Sequence, residues 1–150
     1  MAVMDEPALL FTDLEGSTAL VERLGDAGAA AMWAEHDRVD RDLIALHGGR
    51  EIDRTDGFFA LFPAAQDAAA FALGYQAALA PLGLSARVGI HCAAVTLRHN
   101  AAEDVARGAK PVEVEGLAKP LAARVMAHAR GGQTLLSAAA RAALGASLPP

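Results

Sequence analysis

Cysteine, clustered basic residues and long apolar runs are all scarce in this chain, and each scarcity excludes a class of protein. Cys92 is the only cysteine among 150 residues, which excludes an intrachain disulfide and a cysteine zinc site and favours a reducing cytoplasm. The net charge is −5 and no basic run is present, so we expect no binding to nucleic acid phosphates. No apolar run approaches the roughly 20 residues of a membrane span, so we expect no membrane segment.

The rest of the composition is typical of a globular protein. Hydrophobic residues make up 53% of the chain and charged residues 21%, a balance that supports a packed core rather than a disordered tail. A chain of this length can bury a core without disulfides. Since the sequence contains no repeat or linker, we expect one domain over residues 1–150.

Local patterns predict a mixture of strands and helices. The apolar run from Ala8 to Phe11 predicts a buried central strand, and the alternation from Leu84 to His91 predicts a half-buried one. Asp56-Gly57 predicts a hairpin between strands at 50–54 and 58–62. Helices are predicted over 17–24, 26–46, 66–79, 116–130 and 138–144. Because helices and hairpins alternate, we expect an α+β fold with a largely antiparallel sheet and helices packed on one face.

One acidic side chain occupies an unusual place at the end of the first predicted strand. In LLFTDLEGST, residues 9–18, Asp13 follows the apolar run and directly precedes the start of a helix. If this strand pairs beside the predicted hairpin, Asp13 and Asp56 reach the same edge of the sheet. Two carboxylates beside helix N–H groups would hold divalent cations and a polyphosphate. Alternatively, Asp13 is a helix cap and Asp56 belongs to an ordinary turn.

Four segments, taken together, resemble a known family. FTDLEGST, DGFFALF, RVGIH and EVEGLAKPLAARVMAHARGGQTLLS occur in this order and resemble the class III nucleotidyl cyclase homology domain, the family of adenylyl and guanylyl cyclases. The resemblance covers nearly the whole chain. It implies a ferredoxin-like cyclase fold and an adenylate cyclase activity, which converts ATP (GTP is less expected) to 3′,5′-cyclic AMP and pyrophosphate by two-metal catalysis at a dimer interface.

The resemblance also implies roles for individual residues. Two Mg²⁺ or Mn²⁺ ions per site are implied at Asp13 and Asp56, with the backbone carbonyl of Leu14 as a further ligand. Arg124 is implied to steady the transferring phosphate in the site of the opposite subunit, so a homodimer is expected. The residues implied to bind phosphate are Glu15, Gly16, Ser17 and Thr18, and those implied to read the base are Glu113 and Asp53.

The chain also departs from the family pattern. Pro120 stands where the family has an asparagine that contacts the transition state, and loss of such a donor typically slows a reaction by about 10²–10³. The lysine that reads the purine and the lysine that binds the triphosphate are both missing. A second hypothesis is therefore a degenerate, non-catalytic cyclase-like domain that dimerises, binds nucleotide and regulates attached domains. We also expect the chain to be C-terminally truncated or part of a longer protein.

Basic residues near Glu113 leave two interpretations open. Arg107, Lys110 and Lys119 either line a pocket or belong to a solvated loop. The 5 histidines are scattered without the spacing of metal ligands. Cys92 is expected to be a small buried apolar side chain rather than a nucleophile.

Overall fold

Strands form the centre of the protein, which the computed structural model describes over residues 2–145. The strands are β1 (Ala2–Met4), β2 (Ala8–Glu15), β3 (Arg50–Arg54), β4 (Phe58–Phe62), β5 (Ser85–Cys92), β6 (Val95–His99), β7 (Val112–Glu115) and β8 (Thr134–Leu136). The helices are α1 (Ser17–Leu46), α2 (Ala65–Leu79), α3 (Ala102–Ala106), α4 (Ala118–Ala127) and α5 (Ala138–Leu144), and a 3₁₀ turn at Ala80–Leu82 follows α2.

The main sheet has the strand order β3-β4-β2-β5-β8, while β1, β6 and β7 form a second, smaller sheet. β2 lies in the middle and pairs antiparallel with both neighbours, so that Phe11 lies opposite Phe59 on β4 and Gly89 on β5. Among the described strands, only β5 and β8 pair in parallel. The predicted α+β fold with a largely antiparallel sheet is confirmed.

The main sheet is covered on both faces. Helices α1, α2 and α5 pack over the larger core, to which Leu10 and Tyr75 belong. The second sheet and α4 cover the other face around Phe59. Three helices therefore share one face as expected, while α4 lies on the opposite face, where Gly89 allows a close approach of the α4 backbone at Met126.

A sharp kink divides α1 into the two helices that the sequence predicts. Gly25 has φ 72° and ψ 173° within α1, a backbone conformation that favours glycine. The segment before the kink starts directly after β2, and the segment after it packs along α2 and β3. One element thus connects the end of β2 with the strand that leads into the hairpin.

Some elements differ from the predicted ones. β1 and α3 have no predicted counterpart, because such short segments carry too little periodicity to be recognised. Helix α4 begins at Ala118 rather than at residue 116, since Gly116 has φ 115°, and it ends at Ala127 rather than at residue 130. Within residues 2–145, no helix combines the length and apolarity needed to cross a bilayer.

Candidate functional site

Asp13 lies near the end of β2, on the face of the main sheet that α4 covers. Its neighbour across β5 is Arg87, whose Nη1 donates a hydrogen bond to Asp13 Oδ2 at 3.2 Å. The Asp13 side chain is 44% exposed and the Arg87 side chain is 32% exposed. The next residue, Leu14, is buried in the larger core on the opposite face. Asp13 therefore presents a carboxylate at an accessible edge, beside a guanidinium group.

The hairpin that carries Asp56 packs directly against β2. Arg54 and Phe58 pair across it, which leaves Asp56 at the centre of the turn. The Phe58 N–H donates to Thr12 Oγ1 at 3.1 Å, and a Cβ on Gly57 would collide with the Thr12 carbonyl oxygen. Gly57 is therefore needed for this close approach. The Asp-Gly pattern suggested a positive φ in this turn, but neither Asp56 nor Gly57 has one.

The structure brings the two predicted metal ligands to one end of the main sheet, where β2 ends and the hairpin turns. This end of the sheet is the edge referred to below. Asp13 lines a cavity of about 180 Å³ between β2, the hairpin and α4. Asp56 is exposed and does not line this cavity, although its neighbours Thr55 and Gly57 do. The carboxylate and carbonyl oxygens of Asp13, Asp56 and Leu14 are hard ligands of the kind that Mg²⁺ and Mn²⁺ prefer. The donor set therefore fits the implied ions.

Residues 15–18 form the passage from β2 into α1. Gly16 has φ 75° at the N-terminus of α1 and provides no side-chain cap for the first N–H groups, which leaves them suited to an anion. Ser17 is buried, whereas Thr18 is exposed. Glu15 Oε2 accepts a hydrogen bond from the Gly131 N–H at 2.5 Å, so the Glu15 carboxylate anchors the turn. Phosphate binding by residues 15–18 stays a prediction, in which the backbone N–H groups are the donors.

Arg87 is a neighbour of Asp13 that the sequence reasoning missed. The alternation of β5 places it off the main core, but only the strand register shows that it lies directly opposite Asp13. Arg87 Nη2 also lies 4.0 Å from Glu15 Oε1. A guanidinium between two carboxylates at the start of α1 is well placed to contact a phosphate.

The two residues implied to read the base lie on different strands and meet at one lysine. Asp53, on β3, lines the cavity together with Asp13, and Glu113 is half-buried on β7. Lys110 Nζ lies 3.3 Å from Asp53 Oδ2 and 3.1 Å from Glu113 Oε1. Burial alone would lower the pKa of Lys110, but the hydrogen bonds to Glu113 and Asp53 raise it. Lys110 lies in the loop before β7 and pairs with both acids, although it does not line the cavity.

Arg124 does not line this cavity. It is exposed on α4 and borders a separate surface pocket together with Leu117, Pro120 and Leu121. Leu117 is 81% exposed and Leu121 45%, so apolar surface surrounds the guanidinium. Pro120 falls in the first turn of α4, where a proline is tolerated. A role for Arg124 at a site like that of Asp13 would therefore require a second copy of the chain.

Comparison with known proteins identifies the fold. No protein-family model and no curated protein matches the chain, but solved structures do. An adenylate cyclase from Trypanosoma brucei in its monomeric state is 25% identical, with a TM-score of 0.82 over 96% of this chain and 77% of that chain. The guanylate cyclase domain of RhGC from Catenaria anguillulae, in complex with GTP, is 13% identical, with a TM-score of 0.86 over 99% and 87%. The adenylyl cyclase CyaB from P. aeruginosa is 16% identical, with a TM-score of 0.81 over 96% and 83%.

The protein has the class III nucleotidyl cyclase fold. The resemblance inferred from FTDLEGST and the segments after it is confirmed at this level, and the cyclase fold covers the described residues as a unit. Asp13 and the Asp56 turn lie on adjacent strands of this cyclase fold. Their roles, like that of Arg124, stay predictions.

Behind the hairpin, the cyclase fold contains a buried polar cluster that the sequence reasoning also missed. Ligand atoms of His36, Asp37 and Asp40 lie within 4.8 Å of one another, as in a metal site. However, Arg54 Nη1 donates to Asp37 Oδ1 at 3.0 Å and to Asp40 Oδ2 at 2.8 Å. The guanidinium therefore already neutralises these carboxylates, and its charge disfavours a metal ion there. The available signal was His36 and Asp40 one turn apart on the buried face of α1.

The same cluster joins α1 to α2. His36 Nε2 lies 2.7 Å from Tyr75 Oη. Burial, and then the nearby Asp40 carboxylate, raise the pKa of Tyr75, so its hydroxyl stays protonated. On the other side of the imidazole, Nδ1 lies 2.9 Å from Asp37 Oδ1. Each polar side chain of the cluster thus has a partner.

Proposed function

We propose that this protein is a nucleotidyl cyclase that converts ATP to 3′,5′-cyclic AMP and pyrophosphate in a homodimer. One observation carries the proposal: the end of β2 with Asp13 and the turn with Asp56 meet at one sheet edge, beside the N-terminus of α1. Both carboxylates are accessible: Asp56 is exposed in the turn, and the Asp13 side chain is 44% exposed beside Arg87. The cyclase fold supports the same conclusion.

The residues of this edge have separate tasks. Asp13, Asp56 and the Leu14 carbonyl would hold two Mg²⁺ or Mn²⁺ ions, which supply activation of the ribose 3′-OH and charge neutralisation as pyrophosphate leaves the α-phosphorus. The N–H groups of residues 16–18 bind phosphate oxygens at the start of α1. Arg87 adds a charge-assisted donor on the other side of Asp13.

Adenine is the base that Glu113 and Lys110 fit. In this proposal, the Glu113 carboxylate accepts from the exocyclic amino group of adenine, and Lys110 donates to a ring nitrogen. Guanine has a carbonyl oxygen in place of that amino group, so in the same pose the Glu113 carboxylate would face an acceptor rather than a donor. We therefore expect a higher kcat/KM for ATP than for GTP. The variant Glu113→Gln, which can donate as well as accept, should narrow the ratio between the two substrates.

A second copy of the chain is the proposed source of the arginine at each site. The apolar surface of Leu117 and Leu121 around Arg124 is suited to burial in a symmetric interface. In such an interface, Arg124 of one subunit stabilises the transferring phosphate held by Asp13 and Asp56 of the other. Neither copy would have a complete site alone.

The direct test is a cyclase assay on the purified protein with Mn²⁺ and ATP, in which cyclic AMP and pyrophosphate are both measured. We expect product from the wild type and about 10²–10³-fold less from Asp13→Asn or Asp56→Asn. Asp104→Asn, on the exposed surface of α3, is the matched control and should behave as the wild type. Nucleotide binding by the wild type without any product would instead support the non-catalytic regulatory module.

A mixing experiment tests the shared site separately. Asp13→Asn and Arg124→Ala homodimers should each be inactive, because every site lacks one group. A mixed dimer has one site with both groups intact, so random mixing should restore about a quarter of the wild-type activity. Recovery of no activity from a mixture shown to form heterodimers would overturn the interfacial role of Arg124.

A further inference from the structure

We propose that Arg54 is a positioning residue that holds the Asp56 turn against α1 and thereby sets the affinity of this edge for divalent cations. The inference rests on the proposed function, since it concerns the placement of a predicted metal ligand. Arg54 is the last residue of β3, and its cross-strand partner Phe58 is the first residue of β4. Together they form the base from which the Asp56 turn projects.

All three nitrogen atoms of the Arg54 guanidinium donate hydrogen bonds to carboxylates. Nη1 and Nη2 donate to the two carboxylate oxygens of Asp40 at 2.8 and 3.2 Å. Nη2 and Nε donate to Glu51 Oε1 at 2.6 and 3.1 Å, and Nη1 also reaches Asp37 at 3.0 Å. Because a guanidinium is planar and these partners lie on two elements, the arginine has one available orientation. We call this set of residues the Arg54 cluster.

The cluster connects the turn to helices on one side of the sheet. Asp37 and Asp40 belong to α1, and Asp40 is completely buried. The Arg54 guanidinium lies 4.8 Å from the centre of the Phe58 ring, which also packs against Phe71 and Tyr75 of α2, the latter 5.3 Å away. Both ends of the turn are thus fixed by contacts with α1 and α2. The tip of the turn is the exposed Asp56, and Gly57 after it packs against Thr12 of β2.

The Arg54 cluster is better explained by the direction that it gives to the end of β3 than by a contribution to the stability of the fold. Burying an ion pair commonly contributes less to stability than apolar side chains of the same volume, because both ions lose their hydration. Hydrophobic residues in place of Arg54 and Asp40 could fill the space, but they would not fix the direction of β3 at its last residue. A bidentate arginine does fix it, at the position from which Asp56 must reach the same cations as Asp13.

Two variants and a control test the inference by Mn²⁺ binding to the nucleotide-free protein. The concentration of free Mn²⁺ is measured from its electron paramagnetic resonance signal. Arg54→Gln should weaken binding about tenfold, the smaller end of the loss usual when a group that orients a metal ligand is removed. Asp37→Ala, which removes one half-exposed partner, should weaken it by a smaller factor. Arg98→Gln removes an exposed arginine paired with Glu115 and should change nothing.

Two further readouts separate positioning from a general loss of stability. Amide exchange of residues 55–57 should increase in Arg54→Gln, while that of β2 and β5 stays unchanged. In the cyclase assay, Arg54→Gln should approach the wild-type kcat at saturating Mn²⁺ with an increased Mn²⁺ requirement. A variant that was merely less folded would lose kcat at every Mn²⁺ concentration.

The outcomes distinguish this inference from the proposed function. If the wild type binds no Mn²⁺ and makes no product, the proposed function fails. If the wild type binds Mn²⁺ and Arg54→Gln and Asp37→Ala bind it equally well, the proposed function stands and Arg54 has no positioning role. If Arg54→Gln does not fold, Asp37→Ala decides the question alone.

Discussion

The protein holds two groups of carboxylates on the two sides of one hairpin, and their surroundings are opposite. In the Arg54 cluster, Asp40 and Glu51 both contact the same guanidinium. At the candidate site, one carboxylate oxygen of Asp13 accepts a hydrogen bond from Arg87, and Asp56 is exposed at a turn. The first group has its countercharge built into the fold. The second presents oxygen ligands at the surface, which is what a site for external cations requires.

The contacts of the Arg54 cluster affect the pKa values of its carboxylates. Although burial by itself would raise the pKa of Glu51, hydrogen bonds from Arg54 and Arg41 lower it to about 2. Burial raises the pKa of Asp40, and the hydrogen bonds from Arg54 oppose that effect. Carboxylates with built-in partners therefore influence folding, whereas those of the edge should influence only the reaction. The predictions below test this division.

The largest effect on stability is expected for Asp40→Ala. This change leaves Arg54 partly buried without its bidentate partner, and breaking such a pair typically destabilises a protein by about 3–5 kcal/mol. Urea unfolding should show the loss as a lower midpoint with a similar slope. Asp13→Ala is the matched comparison, and an equal loss of stability in both would contradict the division of the two groups.

The largest effect on activity is expected for Asp13→Asn. The substitution keeps the size of the side chain but removes the charge that holds the cations, so kcat should fall by about 10²–10³, or roughly 3–4 kcal/mol in the barrier. The free energy of unfolding should change little, because the Asp13–Arg87 pair is accessible to solvent. Parallel measurement of both quantities checks the prediction; normal activity would contradict the metal role.

A smaller effect is expected for Arg87→Gln. The variant keeps the metal ligands and loses one charged donor to phosphate, so kcat/KM should fall by about 10-fold with the larger part in KM. Arg98→Gln provides an arginine control on the second sheet. An unchanged kcat/KM would show that Arg87 only balances the charge of Asp13.

The smallest expected effect is a change in the acid dependence of stability in Glu51→Gln. The folded pKa of Glu51, about 2, lies below its ordinary value of 4.5. Its contribution is therefore present above pH 4.5 and is lost as the pH falls toward 2. Thermal unfolding of the variant should depend less on pH in this range than that of the wild type. Equal slopes would show that Glu51 has no net stabilising role.

Much of the fold was predictable because its signals are local. The apolar run of β2, the alternation of β5 and the break at Gly25 each depend on neighbours in the chain, and each is confirmed. The edge shared by Asp13 and Asp56 followed from one further assumption, that β2 pairs beside the hairpin. What failed was detail with weak local signal, such as β1, α3 and the ends of α4.

The site was predictable only in part, because its basic residues are defined by partners far away in the chain. Arg87 gains its meaning from the register that places it opposite Asp13. Lys110 gains its meaning from Asp53 and Glu113 on separate strands. Nothing in the residues adjacent to either one indicates a special role.

The sequence alone determined the succession of strands and helices and the acid at the end of the first long strand, since hydrophobic periodicity and turn chemistry act over a few residues. Only the tertiary structure decided which basic side chain forms an ion pair with which acidic side chain. Arg54 could pair with any acid until α1 packed beside β3 and brought Asp40 within 2.8 Å. Charge pairing depends on distance in space, and that distance exists only after the core has assembled.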